Sequence, residues 1–315
     1  MLATTMQRTK LGRSGLEVSR VGLGCGGPSR LGQSYGQSLD ASKRVIFRAL
    51  ELGIDFFDTA ESYGTEAVLG AALRDAGRQH DVVVSTKKSV WDSEQRRFTS
   101  PAEFQRGIEA CLERLGRERI EVFHLHGLDA AHVDYALSEI VPVLLRAREA
   151  GKIGHLAVSE AFMSDTEHRM LRRVLELDVF EVMMVGFNLL NPSARKTVFP
   201  HTRQLGVGVL VMFAVRRALT NPARLAELIE GLITRGELDP DAVDRRAALE
   251  FLGDARDAGY RFCLHEPGAD VVLTGTGDPE HLEQNVRSLS GPPLPPAQLE
   301  RLARLFGEVS SLSAH

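Results

Sequence analysis

ALELGIDFFDTAESYG, residues 49–64, holds the end of a helix, a strand and the loop beyond it. Ala49 and Leu50 continue an apolar face begun by Val45 and Ile46, at the spacing of a helical repeat. Gly53 then stops the helix. The run 54–57 reads as a short strand that ends on Asp58, and Tyr63 follows one loop turn later. A helix, a stop, an apolar strand and a polar residue at its carboxyl end make up the repeating step of a parallel sheet.

The same step recurs along the chain. Further apolar runs of strand length lie at 18–23, 82–86, 120–125, 153–158, 179–185, 207–212 and 271–274, which makes eight with 54–57. Helical patterns separate them. The clearest begins at Ser100, Pro101 and Glu103, a capping box with proline at the first helical position, and ends at Gly116. Eight strand-helix units in about 250 residues predict an α/β fold, a closed (β/α)8 TIM barrel rather than a doubly wound open sheet. The whole span 1–315 is expected to form one such domain. Residues 9–21, with Gly12 and Gly15, predict an N-terminal hairpin. The interval 215–245 predicts a helical insertion after strand 7, started by Asn221 and Pro222 and made amphipathic by Leu225, Leu228, Ile229 and Leu232. By its position this insertion overhangs the strands' carboxyl ends, either as a lid or as rim packing.

Bulk composition narrows the function. The 315 residues are 43% apolar, enough for a substantial core. Acids number 42 against 38 bases, a formal charge of −4, and no basic stripe suited to nucleic acid is present. Cys25, Cys111 and Cys263 are too few and too scattered for a disulfide framework or a thiolate metal site. The start, MLATTMQRTK, lacks the apolar core of a signal peptide, and no stretch approaches the length of a membrane span. A cytoplasmic protein without membrane or nucleic-acid partners is expected, its oligomeric state open.

A barrel would carry Asp58, Tyr63, Lys87 and His126 to one mouth, just past the ends of their apolar runs. Each has an ordinary structural use alone: a cap or ion-pair partner for Asp58, a rim charge for Lys87 beside Lys88, an amphipathic rim residue for Tyr63. His126 competes with His124, and only one of the two is expected to point inward. Together they suit proton transfer. A phenol is a poor acid near neutrality, but an adjacent ammonium favours its phenolate. Asp58 would hold Lys87 charged, and His126 could hydrogen-bond a carbonyl oxygen. Such a site lacks a nucleophile and a metal cage, so the electron pair must come from a cofactor. Gly22, Gly24 and Gly27 spell G-x-G-x-x-G after a strand, yet Pro28, Ser29 and a polar loop follow where a Rossmann site needs a helix. Two other readings are a dinucleotide-binding sensor with incidental turnover and a Schiff-base aldolase using Lys87 or Lys88.

From Lys10 to about Phe306 the sequence resembles the aldo-keto reductase family. LGRSGLEVSRVGLGCG at 11–26, ALELGIDFFDTAESYG at 49–64, VVSTKK at 83–88, VFHLHG at 122–127 and GDPEHLEQN at 277–285 carry the resemblance. It implies reduction of a small aldehyde or ketone by a nicotinamide, with Asp58, Tyr63, Lys87 and His126 as catalytic tetrad and Tyr63 as general acid. It implies cofactor contacts at Gly24, Cys25, Asp58, Ser159, Glu160, Met184, Phe213, Thr276, His281, Gln284 and Asn285. Several of these depart from the family pattern. Glu160 follows Ser159 where asparagine is common, Met184 replaces a glutamine, and Gly275 and His281 stand where a lysine and an arginine often hold a 2′-phosphate. NADP(H) is expected ahead of NAD(H).

Overall fold

The computed structural model describes residues 6–244 and 247–314. Residues 1–5, 245, 246 and 315, which include both ends of the 1–315 span and the last position of the 215–245 interval, lie outside it. The strands in chain order are β1 (Arg8–Lys10), β2 (Glu17–Ser19), β3 (Val21–Gly24), β4 (Phe56–Asp58), β5 (Val83–Lys88), β6 (Trp91–Asp92), β7 (Arg97–Phe98), β8 (Ile120–Leu128), β9 (Ile153–Glu160), β10 (Val182–Gly186), β11 (Gly208–Met212) and β12 (Val271–Thr274). Eight of them close into a parallel barrel in the order β10-β11-β12-β3-β4-β5-β8-β9. This is the (β/α)8 architecture. The antiparallel hairpin β1-β2 precedes it, and a second hairpin, β6-β7, lies in the loop after β5.

Strand alternation divides the core in two. Phe56, Val122, Ala157, Val182, Met184, Leu210 and Val271 fill the barrel interior, joined by Leu11 and Val18 of the hairpin segment. Phe57, Val84, Phe123, Val158, Val185, Val209 and Val272 face the helices. The hairpin plugs the amino-terminal end, where a side chain on Gly208 would strike Leu11. That leaves the carboxyl end for a site.

Helix signals hold closely. Ser100 and Glu103 form the reciprocal capping box of the helix Pro101–Leu115, and Gly116 closes it at φ 63°. Asn221 caps the helix Pro222–Thr234, the insertion after β11, which buries Ile229 and Leu232. After Gly22, Gly24 and Gly27 the chain makes a tight turn, and the next α-helix starts only at Leu39.

Strand boundaries need correction. The run 18–23 is two strands, because Arg20 changes partners: its N–H bonds Gln7 on the hairpin side, and its carbonyl accepts from Val272 of the barrel. β5 and β8 also outlast their apolar runs, so Lys87 and His126 lie within strands and not past them. Lys87 pairs in register with His124, and β8 continues to Leu128 through an irregularity. Backbone pairing there persists after hydrophobicity ends.

Candidate active site

Inward parity assembles the centre. Asp58 lies two residues beyond Phe56, and Lys87 four beyond Val83, so both side chains enter the barrel mouth. Lys87 Nζ donates to Asp58 Oδ2 at 2.6 Å and to the Thr59 carbonyl at 2.7 Å. Ser85 Oγ donates to Asp58 Oδ1 at 2.8 Å. The pair is almost wholly buried, at 1% and 5% side-chain exposure. Burial pushes the Asp58 carboxyl above its usual range, against the pull of Lys87 and Ser85. Burial also opposes the Lys87 charge, but Asp58 and Tyr63 outweigh it and raise the amine above its ordinary value. Lys87 is therefore an ammonium.

Tyr63 ends a short 3-10 turn after β4. Its ring centroid lies 4.9 Å from Lys87 Nζ, and its Oη is 3.4 Å from His126 Nε2. Tyr63 and His126 meet edge to face. Ser62 Oγ stands 3.4 Å from the other His126 nitrogen. Burial, and then Lys87, hold His126 down at about 3, so the imidazole is neutral across the physiological range. All four expected residues converge.

The competition between His124 and His126 does not occur. Two residues apart on one strand, they share parity with Val122, and both point inward at different depths. His124 is fully buried beside Lys87, and among the described residues neither ring nitrogen has a partner in good hydrogen-bond geometry, the backbone of Val158 being a polar neighbour. Burial foremost, and Lys87, hold it well below the usual imidazole range.

The expected cofactor positions divide. Ser159 and Met184 pair in register on neighbouring strands and turn inward, as Ala157 and Val182 do. Ser159 Oγ accepts from the Gly127 amide at 2.8 Å. Gly24 ends β3, and Cys25, buried, donates its amide to the Asp58 carbonyl. Phe213, with φ 67°, follows β11, and the Arg216 guanidinium carbon lies 4.0 Å from its ring centroid. Thr276 accepts from the Asp278 amide at the start of the helix Pro279–Leu289. On that helix Gln284 and His281 are exposed, while Asn285 is buried and donates to Thr274.

Glu160 departs from expectation. It shares parity with outward-facing Val158, and its side chain is fully buried against His168, 2.9 Å from Nδ1. Gly186 also donates to it at 2.7 Å. A carboxylate enclosed in this way is turned from the mouth.

The sequence model of the Aldo/keto reductase family matches residues 22–306, from the first barrel strand to the last helix. The chain belongs to the aldo/keto reductase family. Membership makes it an NAD(P)H-dependent oxidoreductase. An uncharacterized oxidoreductase of Bacillus subtilis (strain 168), YqkF, is 23% identical over 310 residues, 94% of this chain and 95% of the relative. Among solved structures, the holo form of the aldo-keto reductase AKR11C1 from Bacillus halodurans is 21% identical, covers 98% of both chains and superposes with a TM-score of 0.74. Its apo form gives 22%, the same coverage and 0.71. These structures share the fold.

Sequence reading missed several groups that shape the site of this aldo/keto reductase. Ser85 was findable, being two residues before Lys87 on the same face. The Thr59 carbonyl is main chain, so no residue type announces it. Nor does any local signal connect Arg30, 33 positions earlier, to the carbonyl of Tyr63, to which its Nε donates at 2.6 Å.

Proposed function

We propose that this reductase converts aldehydes or ketones to alcohols, with Tyr63 as general acid. The observation that carries the reading is the approach of Tyr63 Oη to His126 Nε2, 3.4 Å apart, beside the buried Lys87 ammonium. A carbonyl oxygen in that angle would meet two donors. Tyr63 Oη gives its proton to the oxygen as negative charge develops there, and the Lys87 ammonium stabilises the phenolate left behind. Asp58 and Thr59 hold Lys87 in place. His126, neutral, orients the oxygen through Nε2–H.

The residues at the mouth fit a nicotinamide. Inward Ser159 and Met184 offer a hydroxyl and an apolar surface on adjoining strands, Phe213 offers a ring, and the bare backbones of Gly24 and Gly275 run close together. When bound, the cofactor supplies the hydride. We expect NADP(H) ahead of NAD(H); in the first turn of its helix His281, 4.0 Å from Asp278, stands where the resemblance places a contact to a 2′-phosphate. A lysine held as ammonium by a carboxylate is a poor imine-forming nucleophile, which weighs against the aldolase reading.

The test is a panel of aliphatic and aromatic aldehydes and ketones, each with NADPH and with NADH, followed by nicotinamide absorbance. Turnover of at least one carbonyl class is expected. Dinucleotide binding without turnover across the panel would leave the sensor reading in its place.

A further inference from the structure

The first loop of the barrel meets Tyr63 at two points, its ring and its main chain. At the ring is Gly26, where a Cβ would lie 2.3 Å from Cε2, 2.5 Å from Cδ2 and 2.7 Å from Cζ of Tyr63. The phenol rests flush on bare backbone, so glycine is required there for space. At the main chain is Arg30, whose amide closes a turn onto the Gly26 carbonyl. Its Nε donates to the Tyr63 carbonyl at 2.6 Å. Its Nη2 lies 2.8 Å from where a Cβ on Gly64 would stand, so the guanidinium lies along the main chain at residues 63 and 64.

This arrangement is held against a local cost. Arg30 and Leu31 take left-handed φ values of 46° and 56°, rare for residues with a side chain. Surrounding packing over-determines the turn: Leu31 is fully buried, its carbonyl accepts from Ser42 Oγ at 2.8 Å, and the backbone of Gly32 is pressed close to Gly277. Among the described residues, Arg30 makes no ion pair, and its side chain's hydrogen bond goes to Tyr63. A rim arginine would ordinarily meet a carboxylate. This one is directed at the main chain of the residue that donates the proton.

We propose that Arg30 is a positioning residue for Tyr63, setting the phenol's place over Lys87 and beside His126 through the main-chain carbonyl, with Gly26 as the stop. The inference rests on the general-acid reading of Tyr63. Proton donation requires near-attack geometry, and a displacement of about 1 Å can cost about 100-fold in rate. Removing the arginine should therefore lower kcat while leaving KM and cofactor affinity nearly unchanged.

The experiment compares the parent with Arg30→Met, Arg30→Lys, Tyr63→Phe and the double variant Arg30→Met/Tyr63→Phe, using benzaldehyde or the best carbonyl of the panel. Arg30→Met is expected to lose about tenfold or more in kcat, with a larger solvent deuterium isotope effect on kcat. Arg30→Lys, which keeps a donor, should recover part of the loss. In the Tyr63→Phe background the arginine should no longer matter, because the proton it positions is gone. If Tyr63→Phe is nearly inert while Arg30→Met turns over at the parental rate, the positioning inference fails and the general-acid reading stands. Parental turnover in Tyr63→Phe sinks both. An equal loss from Arg30→Met in both backgrounds, or a loss confined to thermal stability, would make Arg30 structural only. Should Arg30→Met not fold, Gly26→Ala displaces the ring directly and must lower kcat selectively for the inference to survive.

Discussion

At the end of β5, Lys87 meets Asp58 inside the barrel; at the end of β9, Glu160 meets His168 outside it. Both pairs are almost completely buried, and in both, neighbouring donors or acceptors complete the hydrogen bonding. The inner pair uses Ser85 and the Thr59 carbonyl, and it faces the Tyr63 ring. The outer pair takes the Gly186 amide and extends through Ser193, 2.9 Å from His168 Nε2, to Asn191, which donates to the carbonyl of Leu312 in the C-terminal tail. Phe162 stacks on the His168 ring. A buried charge strengthens chemistry only when a reacting group shares its low-dielectric space. The outer pair instead joins two strand ends to the tail. One step of strand parity separates the two situations: Glu160 immediately follows inward-facing Ser159.

The largest effect that tests this contrast is on the inner pair's neighbour. Tyr63→Phe should lower kcat by about 10²–10⁴-fold while dinucleotide affinity, measured by fluorescence titration, survives. Lys87→Met should lose activity on the same scale and also lose stability, since Asp58 is left without its partner. A turnover number within a few-fold of the parent for either variant would remove the inner pair from the chemistry.

His168→Ala probes the outer pair. It leaves Glu160 buried and unpaired, so chemical denaturation should show a loss of about 3–5 kcal/mol, with turnover per folded molecule close to the parent's. Glu160→Gln should leave cofactor affinity nearly untouched. A tenfold weakening, about 1.4 kcal/mol, would show that Glu160 reaches the ligand after all and would break the comparison.

Acid acts on the inner site through His126. His126 is neutral in the fold down to about pH 3, against an ordinary value of 6.5. Between those values the unfolded chain takes up a proton that the folded chain refuses, so stability is lost as pH falls through 6.5. At pH 5 one such histidine amounts to about 2 kcal/mol. His126→Phe should flatten the fall in denaturation midpoint between pH 7 and 5; an unchanged slope would deny that the mouth keeps this imidazole neutral.

Lys88→Met should show the smallest change. Lys88 donates to Glu61 at 2.6 Å, outside the barrel interior and partly in solvent. A loss of about 1 kcal/mol or less and mild kinetics are expected. Losses matching those of Lys87→Met would undo the parity argument.

Residues 49–64 by themselves determined much of this. Apolar periodicity, Gly53, the Phe56-Phe57 run and Asp58 specify a strand-helix step, and eight such steps specify a barrel, because each reflects a local choice between burying one face and burying both. The four convergent side chains were legible for the same reason, since strand ends sit at known places in that fold. What only the tertiary structure decided are matters of one residue's direction and of contacts between distant segments. The carboxylate of Glu160 faces His168 rather than the mouth, and His124 and His126 point the same way. Arg20 divides the first apolar run, and Arg30 reaches the carbonyl of Tyr63. Local sequence fixes which backbone conformations are cheap; which side chain meets which main-chain group depends on register, twist and loop closure, and these are settled only when the whole barrel closes.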